Sequence, residues 1–358
     1  MTRLKNKKRL RGVSLFASAG IGEVFFDKIG IDIVTANELL EDRATLYSTL
    51  HKDTKMIQGD ILDDDVFKKI VDSSHGKIDF LIATPPCQGV SIAGKNRNLK
   101  TMLDDERNHL ILKILDFIDV KKPDYILIEN VPSFLKLKLP FKKKLRTVLE
   151  ILDIAYSKEY KIEAKVFNSS EYGVPQKRNR AVIKMYKKTL NWEWPKKETP
   201  KTVRETIGKL PSLEAGEKSN LPWHFARKHS ENHILWMKNT PTGNSAFQNK
   251  KYFPKKTNGK RINSYMTTYR RIKWDEPAPT ITMRNDAISS QLNVHPGRKL
   301  KNGTYSDARV LTPLELMLLT SLPKNWGIPR DTPEILVRKC IGESVPPLLL
   351  KKIVSKII

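Results

Sequence analysis

The feature that most constrains the fold is an alternation in the first half of the chain. Short β-branched apolar runs end in small or chemically useful residues and are separated by stretches of helical spacing. Gly12–Phe16 (GVSLF) leads into Ala17-Ser18-Ala19-Gly20, after which a helical stretch is predicted from about Glu23. Ile31–Asn37 ends at Glu38 and precedes a helix-like segment reaching His51. Lys77–Ala83 ends at Thr84-Pro85-Pro86-Cys87. A helix candidate then runs from Arg107 to Val120, with apolar spacing at Leu110, Ile111, Ile114, Leu115 and Ile118. The strand candidate DYILIEN closes the series at Glu129-Asn130. Such alternation calls for a largely parallel α/β sheet. Open sheets of this kind bind ligands at the carboxyl edge, where these useful residues fall.

After about Met185 the regularity fades. The stretch to about Asp307 is rich in Pro, Gly, Asn and Lys and predicts a smaller, loop-rich domain. Periodicity returns in Thr312–Leu319, Pro333–Cys340 and Pro346–Ile358. The expected division is therefore residues 1–185 plus 333–358 in one domain and 186–332 in the other. A chain of 358 residues exceeds what one core usually serves. No run of about 20 apolar residues suits a membrane span. The opening MTRLKNKKRLRG has charge with no apolar run behind it, unlike a signal peptide. Two cysteines, Cys87 and Cys340, offer no disulfide framework, so a soluble protein of a reducing, intracellular compartment is expected.

The formal net charge is +26. A field of that sign attracts polyanions, of which nucleic acid is the commonest soluble one, although a basic surface can also serve solubility. Between Lys187 and Lys301 there are 24 basic and 9 acidic residues, together with Trp192, Trp194, Trp223, Trp236 and Trp274. Basic residues interleaved with aromatics read as a nucleic-acid surface.

Three segments carry chemistry. The small residues between Phe16 and Gly22 let backbone N–H groups approach a ligand. Glu38, about twenty residues on, is placed to accept both hydroxyls of a ribose. Asp60 is placed to accept from an exocyclic amine of adenine, although both acids could instead cap helices. Loop and acids point to an adenosine ligand without separating a dinucleotide from S-adenosylmethionine. In Ala83–Lys95 (ATPPCQGVSIAGK), paired prolines stiffen the approach to Cys87, whose thiolate would be favoured at a helix start. A buried structural cysteine is the alternative. His224, His229 and His233 include an i, i+4 pair, but no cysteine or HExxH pattern accompanies them, so no metal site is expected.

In order along nearly the whole chain, these segments resemble the cytosine-C5 DNA methyltransferases. Leu15–Glu23 is similar to the family's first motif, with Asn37-Glu38 and Gly59-Asp60-Ile61 at its next cofactor positions. Thr84-Pro85-Pro86-Cys87-Gln88 matches the catalytic loop, and Asp105-Glu106-Arg107 through Leu110 the helix behind it. Glu129-Asn130-Val131 matches the glutamate motif and Gln176-Lys177-Arg178-Asn179-Arg180 the arginine motif. Arg309 and Glu315 fit the motif after the recognition region, and Ile341–Pro346 the last motif. Ser18 and Ile21 stand where the family usually has glycine, Leu39 replaces a common aromatic, and Glu343 replaces an asparagine.

The resemblance implies a Rossmann-like, S-adenosylmethionine-dependent fold with a mixed sheet and a smaller target-recognition domain. It implies that Cys87 attacks C6 of a flipped cytosine, Glu129 serves as acid at N3, and Arg180 holds O2 with Arg178 in support. Phe16, Ser18, Ala19, Gly20, Ile21, Glu38, Leu39, Asp60, Ile61, Pro86, Leu110, Glu343 and Ser344 become the cofactor candidates. Gln88, Ser91, Gln176, Arg270, Arg271, Thr280, Thr282 and Arg284 become the DNA candidates. Expected with these are S-adenosyl-L-homocysteine as product, no metal, duplex DNA as partner and a cognate restriction endonuclease as genetic partner. A monomer in the bacterial cytoplasm is expected, and the final helix should pack back on the first domain's sheet. A tRNA cytosine methyltransferase is the main alternative, disfavoured because the recognition region holds no Cys-Phe-Thr signature. A dinucleotide oxidoreductase would leave Cys87 and Glu129 without purpose, and a non-catalytic DNA-binding descendant would have no use for an intact set of reactive residues.

Overall fold

Strands form where β-branched and aliphatic residues run without interruption, because a strand buried on both faces needs no polar alternation. The computed structural model describes residues 9–86, 110–262 and 264–357. Within it, β1 (Leu10–Leu15), β2 (Ile31–Glu38), β3 (Lys55–Gln58), β4 (Phe80–Ala83) and β5 (Tyr125–Asn130) are mutually parallel neighbours. Every residue of β4 and β5 is buried. Between β5 and β8 lies a separate hairpin of β6 (Lys138–Phe141) and β7 (Lys144–Thr147). The main sheet is completed by β8 (Tyr160–Asn168) and β9 (Asn179–Lys187), which run antiparallel, in the order β3-β2-β1-β4-β5-β9-β8. The chain leaves β1 for β2 on one side and returns to β4 on the other, so the strand order reverses there. Such a switch point opens a ligand crevice at the carboxyl ends.

Helices α1 (Glu41–Leu50), α2 (Asp64–Ser73), α3 (Leu110–Lys121) and α4 (Val148–Tyr156) connect the strands. The apolar stripe of α3 places Ile111, Ile114, Phe117 and Ile118 in the main core with Val13, Leu81 and Ile126. The helical stretch expected from Glu23 is instead two single 3-10 turns, Ile21–Glu23 and Asp27–Ile29. Gly30, with φ +83°, ends the second turn after too few residues for an α-helix.

The chain divides into two units, the first holding residues 1–168, 179–196 and 350–358, the second 169–178 and 197–349. This differs from the expected boundaries at both the arginine motif and the C-terminus. The helix Glu334–Glu343 belongs to the second unit, where Arg338 donates to Leu311 O, Asn285 O and Asn285 Oδ1. Residues 350–358 do join the sheet unit, where the Trp192 indole donates to Ile353 O (2.9 Å). Trp192 is 1% exposed and packs edge-on to Phe80, Tyr125 and Tyr186.

The second unit is loop-rich and organised around a buried charge cluster. Arg309, fully buried, pairs with Asp307 (3.0 Å) and Glu315 (2.8 Å). Thr312 and Glu315 form a capping box on the helix Pro313–Leu319, and His224 Nδ1 meets Thr312 Oγ1 at 3.0 Å. The Arg309 charge holds the Glu315 carboxyl down at about 2, against the desolvation that would raise it.

Candidate active site and nucleic-acid interface

The carboxyl ends of β1 and β2 build the first part of the site. Phe16 (φ +60°), Ser18 (φ +48°) and Gly20 (φ +69°) turn the chain sharply after β1. A Cβ on Gly20 would lie 2.2 Å from His51 Nε2, so only glycine fits there. Ser18 carries a side chain in the same left-handed region, which is the structural consequence of its replacing a usual glycine. Its N–H donates to Glu38 Oε2 (2.8 Å), and Leu40 N–H donates to Glu38 Oε1 (2.9 Å). The buried Glu38 carboxylate is thereby held in one orientation against the loop.

Leu39 beside it is 54% exposed, an open apolar surface of the kind a purine ring covers. Asp60 is exposed and accepts from Leu62 N–H (2.9 Å), while Asp63, not Asp60, caps α2. Ala19, Ile21, Ile61 and Leu110 are buried, so their side chains support the wall, and Phe16 is half-buried. A buried acid aimed at a tight loop, flanked by an exposed leucine and a second acid, fits an adenosine-bearing cofactor.

Glu23, on the turn after this loop, is buried and accepts from the Ser14 hydroxyl and from Tyr47 OH (2.6 Å). Burial pushes its carboxyl up to about 7 despite those two donors. Nothing in its sequence neighbourhood signals that environment.

The second part lies at the ends of β4 and β5. Thr84 donates through Oγ1 to Phe16 O (2.9 Å), and Asn130 Nδ2 donates to Pro85 O (2.9 Å). These bonds fix the chain as it leaves β4, with Pro85 buried and Pro86 exposed. Cys87, Gln88 and Ser91 lie outside the described residues. Glu129, buried on β5, receives Arg180 Nε at 2.7 Å from the adjacent β9. Antiparallel pairing puts Asn130 opposite Ala181, which brings the two motifs together although fifty residues separate them. The amide of Asn130, to which the motif alone assigns no role, ties the glutamate motif to the proline loop.

Arg178 takes a different position from Arg180. Its buried guanidinium donates to Ile281 O (2.6 Å), Gly342 O (2.9 Å) and Glu343 O (3.1 Å), all within the second unit. Glu343 and Ser344 are half-buried there, with Ser344 Oγ donating to Ile341 O (2.9 Å).

Two DNA candidates are corrected. Gln176 is 1% exposed, with its amide between Ile281 N–H (3.2 Å) and Thr320 Oγ1 (3.2 Å). Arg271 is fully buried, donating to Met237, His295, Ser306 and Asp307 carbonyls. Neither presents a group to a duplex. Thr280, Thr282 and Arg284 are exposed and Arg270 is half-exposed. Of the tryptophans read as part of a nucleic-acid surface, Trp192, Trp236 and Trp274 are buried and pack the protein, while Trp194 and Trp223 are half-buried. Within the basic segment between Lys187 and Lys301, Lys250, Lys251, Lys255, Lys256 and Lys260 are all exposed. His224 and His229 take part in structural hydrogen bonds, and no metal-binding group of three occurs among the described residues.

A mostly parallel sheet with a strand-order switch, with Glu38 and the Glu129–Arg180 pair at its carboxyl edge, has the architecture of the class of Rossmann-like, S-adenosylmethionine-dependent methyltransferases. Within that class, the chain belongs to the C-5 cytosine-specific DNA methylase family, whose profile matches residues 10–358, and it is a DNA cytosine-C5 methyltransferase. It is 53% identical to the Type II methyltransferase M1.HgaI of Avibacterium volantium over 98% of this chain and 99% of that one. It is 28% identical to the Type II methyltransferase M1.HphI of Haemophilus parahaemolyticus over 97% and 86% of the two chains. Among solved structures, a putative DNA modification methyltransferase from an Escherichia coli prophage shares the fold at TM-score 0.70 and 19% identity, over 97% of this chain and 98% of that one. The Entamoeba histolytica methyltransferase EhMeth does so at TM-score 0.64 and 18% identity, over 98% of each chain. These relatives leave the tRNA alternative with less support. No described helix is long and apolar enough to cross a membrane.

Proposed function

We propose that this enzyme methylates C5 of one cytosine, flipped from a short specific duplex sequence, as the modification half of a restriction-modification system. The observation that carries the reading is the Arg180–Glu129 contact of 2.7 Å at the carboxyl edge, joined through Asn130 to the loop that leads to Cys87. Cytosine C5 is a poor nucleophile. Addition of the Cys87 thiolate to C6 moves an electron pair onto C5, and the bond formed is later broken when the C5 proton leaves. Glu129 would hold a proton at N3 and so draw electrons out of the ring as the sulfur adds. Arg180 would place its guanidinium on O2, fixing the base and balancing charge that develops there. Arg178, tied to three carbonyls, would act by holding its segment rather than by touching the base.

The cofactor would be held by the Phe16–Ile21 backbone, by Glu38 at the ribose and by Leu39, Asp60 and Ile61 around the adenine. Pro86 and Leu110 would complete it, with Glu343 and Ser344 assigned by the motif match alone. When bound, S-adenosylmethionine supplies the electrophilic methyl group and is left as S-adenosyl-L-homocysteine, with no metal in the scheme. Residues 197–349 would recognise the target, with the exposed lysines between 250 and 260 on phosphates and Arg270, Thr280, Thr282 and Arg284 near the bases. Gln88 and Ser91 would also face DNA. A monomer acting in the bacterial cytoplasm, with a cognate endonuclease as genetic partner, completes the reading. Bisulfite sequencing of DNA from cells expressing wild type or Cys87→Ser tests it. Protected cytosines at one recurrent sequence, absent with the variant, are expected; protection that persists with the variant would refute the assignment of Cys87.

A further inference from the structure

The β6–β7 hairpin has an unusual turn. Phe141 pairs with Lys144, leaving a two-residue loop of Lys142 (φ +47°) and Lys143 (φ +62°). Positive φ at both positions is the type I′ geometry, which favours Asn-Gly and disfavours residues with long side chains. Two lysines therefore sit in a conformation that a sequence chosen for stability alone would give to other residues. Backbone strain of this kind concentrates where side chains serve a function.

The surroundings point to that function. Lys136, Lys138, Lys142, Lys143 and Lys144 are all exposed, with the Lys142 ammonium 5.5 Å from the Phe141 ring centroid. Leu137 and Leu139 on the other face are 3% and 1% exposed and anchor the hairpin in the main core. The hairpin follows Glu129-Asn130 after one 3-10 turn, Pro132–Lys136, so the chain enters it directly from the strand end that carries the Glu129–Arg180 pair. A duplex delivering a base to that end brings its phosphates there too.

We infer that the Lys142-Lys143 turn, with Lys138 and Lys144, is a phosphate-gripping finger of the sheet unit that anchors the DNA backbone independently of sequence reading. The inference rests on the function proposed above and adds a DNA contact outside the target-recognition residues. It does not involve reading of bases, so it should alter affinity and salt dependence while leaving the choice of target intact.

The test uses the full chain as wild type, as K142N/K143G and as the charge-matched control K68Q/K69Q on α2. Binding to a mixed-sequence duplex is followed from about 50 to 200 mM salt, where each phosphate contact contributes about 0.9 to the slope of log affinity against log salt. K142N/K143G installs the favoured turn pair, so its Tm should be no lower than wild type while its salt slope is shallower by about two. S-adenosylmethionine affinity and the bisulfite target should match wild type, and the control should keep the wild-type slope. An unchanged slope in K142N/K143G, or an equal change in the control, overturns the finger. Wild type failing to methylate duplex DNA at all would instead overturn the function on which the inference rests.

Discussion

Arg178 and Arg180 flank one asparagine in the same motif, yet the fold gives them different surroundings. Arg178 is buried among three carbonyl acceptors, while Arg180 lies against Glu129 at the sheet edge. Arg178→Ala strips charged donors from buried acceptors and should destabilise by about 3 kcal/mol or more, read as a fall in Tm. Arg180→Gln should instead lower kcat by about 10²-fold in a methyl-transfer assay, the scale of losing one well-placed stabilising donor. If Arg178→Ala kept its Tm, the support role would be wrong. Glu23 carries a second prediction. Its folded-state carboxyl is raised to about 7 from an ordinary 4.5. Below 4.5 both states hold the proton and burial adds no pH-dependent cost. As pH rises toward 7, the unfolded chain releases a proton that the folded chain keeps, so stability falls across that window and is level above it. Glu23→Gln removes the titration, and its Tm should gain on wild type steadily between those two pH values. A constant difference across them would show that Glu23 is not held protonated.

At the scale of elements, Thr312 begins the helix Pro313–Leu319 with a capping box and also meets His224. Thr312→Ala should cost about 1–2 kcal/mol in denaturant titration, and a loss near zero would mean the cap is redundant. Gly342 is as constrained: a Cβ there would lie 2.3 Å from Thr282 O, so Gly342→Ala should lower Tm without touching the sheet unit. These elements also show what could be read in advance. β1, β2, β4 and β5 were legible because uninterrupted β-branched runs leave few other structures, and the ends of β2 and β5 carry Glu38 and Glu129 where the runs stop. The hairpin β6–β7 had a signal too, the period-two alternation of Lys136, Leu137, Lys138 and Leu139, but its lysine content hid it among charge runs. The helix expected after Glu23 failed because Gly30 ends the second turn early. Gln176 and Arg271 failed for another reason. A polar residue type announces hydrogen bonding, but whether the partner is a phosphate or a buried carbonyl is decided by tertiary packing that spacing does not reveal.

For the molecule as a whole, the net charge of +26 supports attraction to DNA but does not locate the contact. The structure separates buried cations such as Arg271, Arg309 and Arg338, which organise the second unit, from exposed ones that remain for a polyanion. Arrangement of charge, rather than its total, thus links sequence to activity. In the proposed mechanism, the thiol of Cys87 would reach C6 of an extruded base while Glu129 and Arg180, paired at 2.7 Å, would grip the other edge of the ring. A duplex carrying 5-fluorocytosine at the methylated position tests this most directly, because fluorine at C5 cannot leave as a proton does and the sulfur–carbon bond persists. Peptide mapping by mass spectrometry should find one DNA adduct, on Cys87, lost in Cys87→Ser. An adduct on another residue, or none despite full methylation of the unfluorinated duplex, would contradict the account.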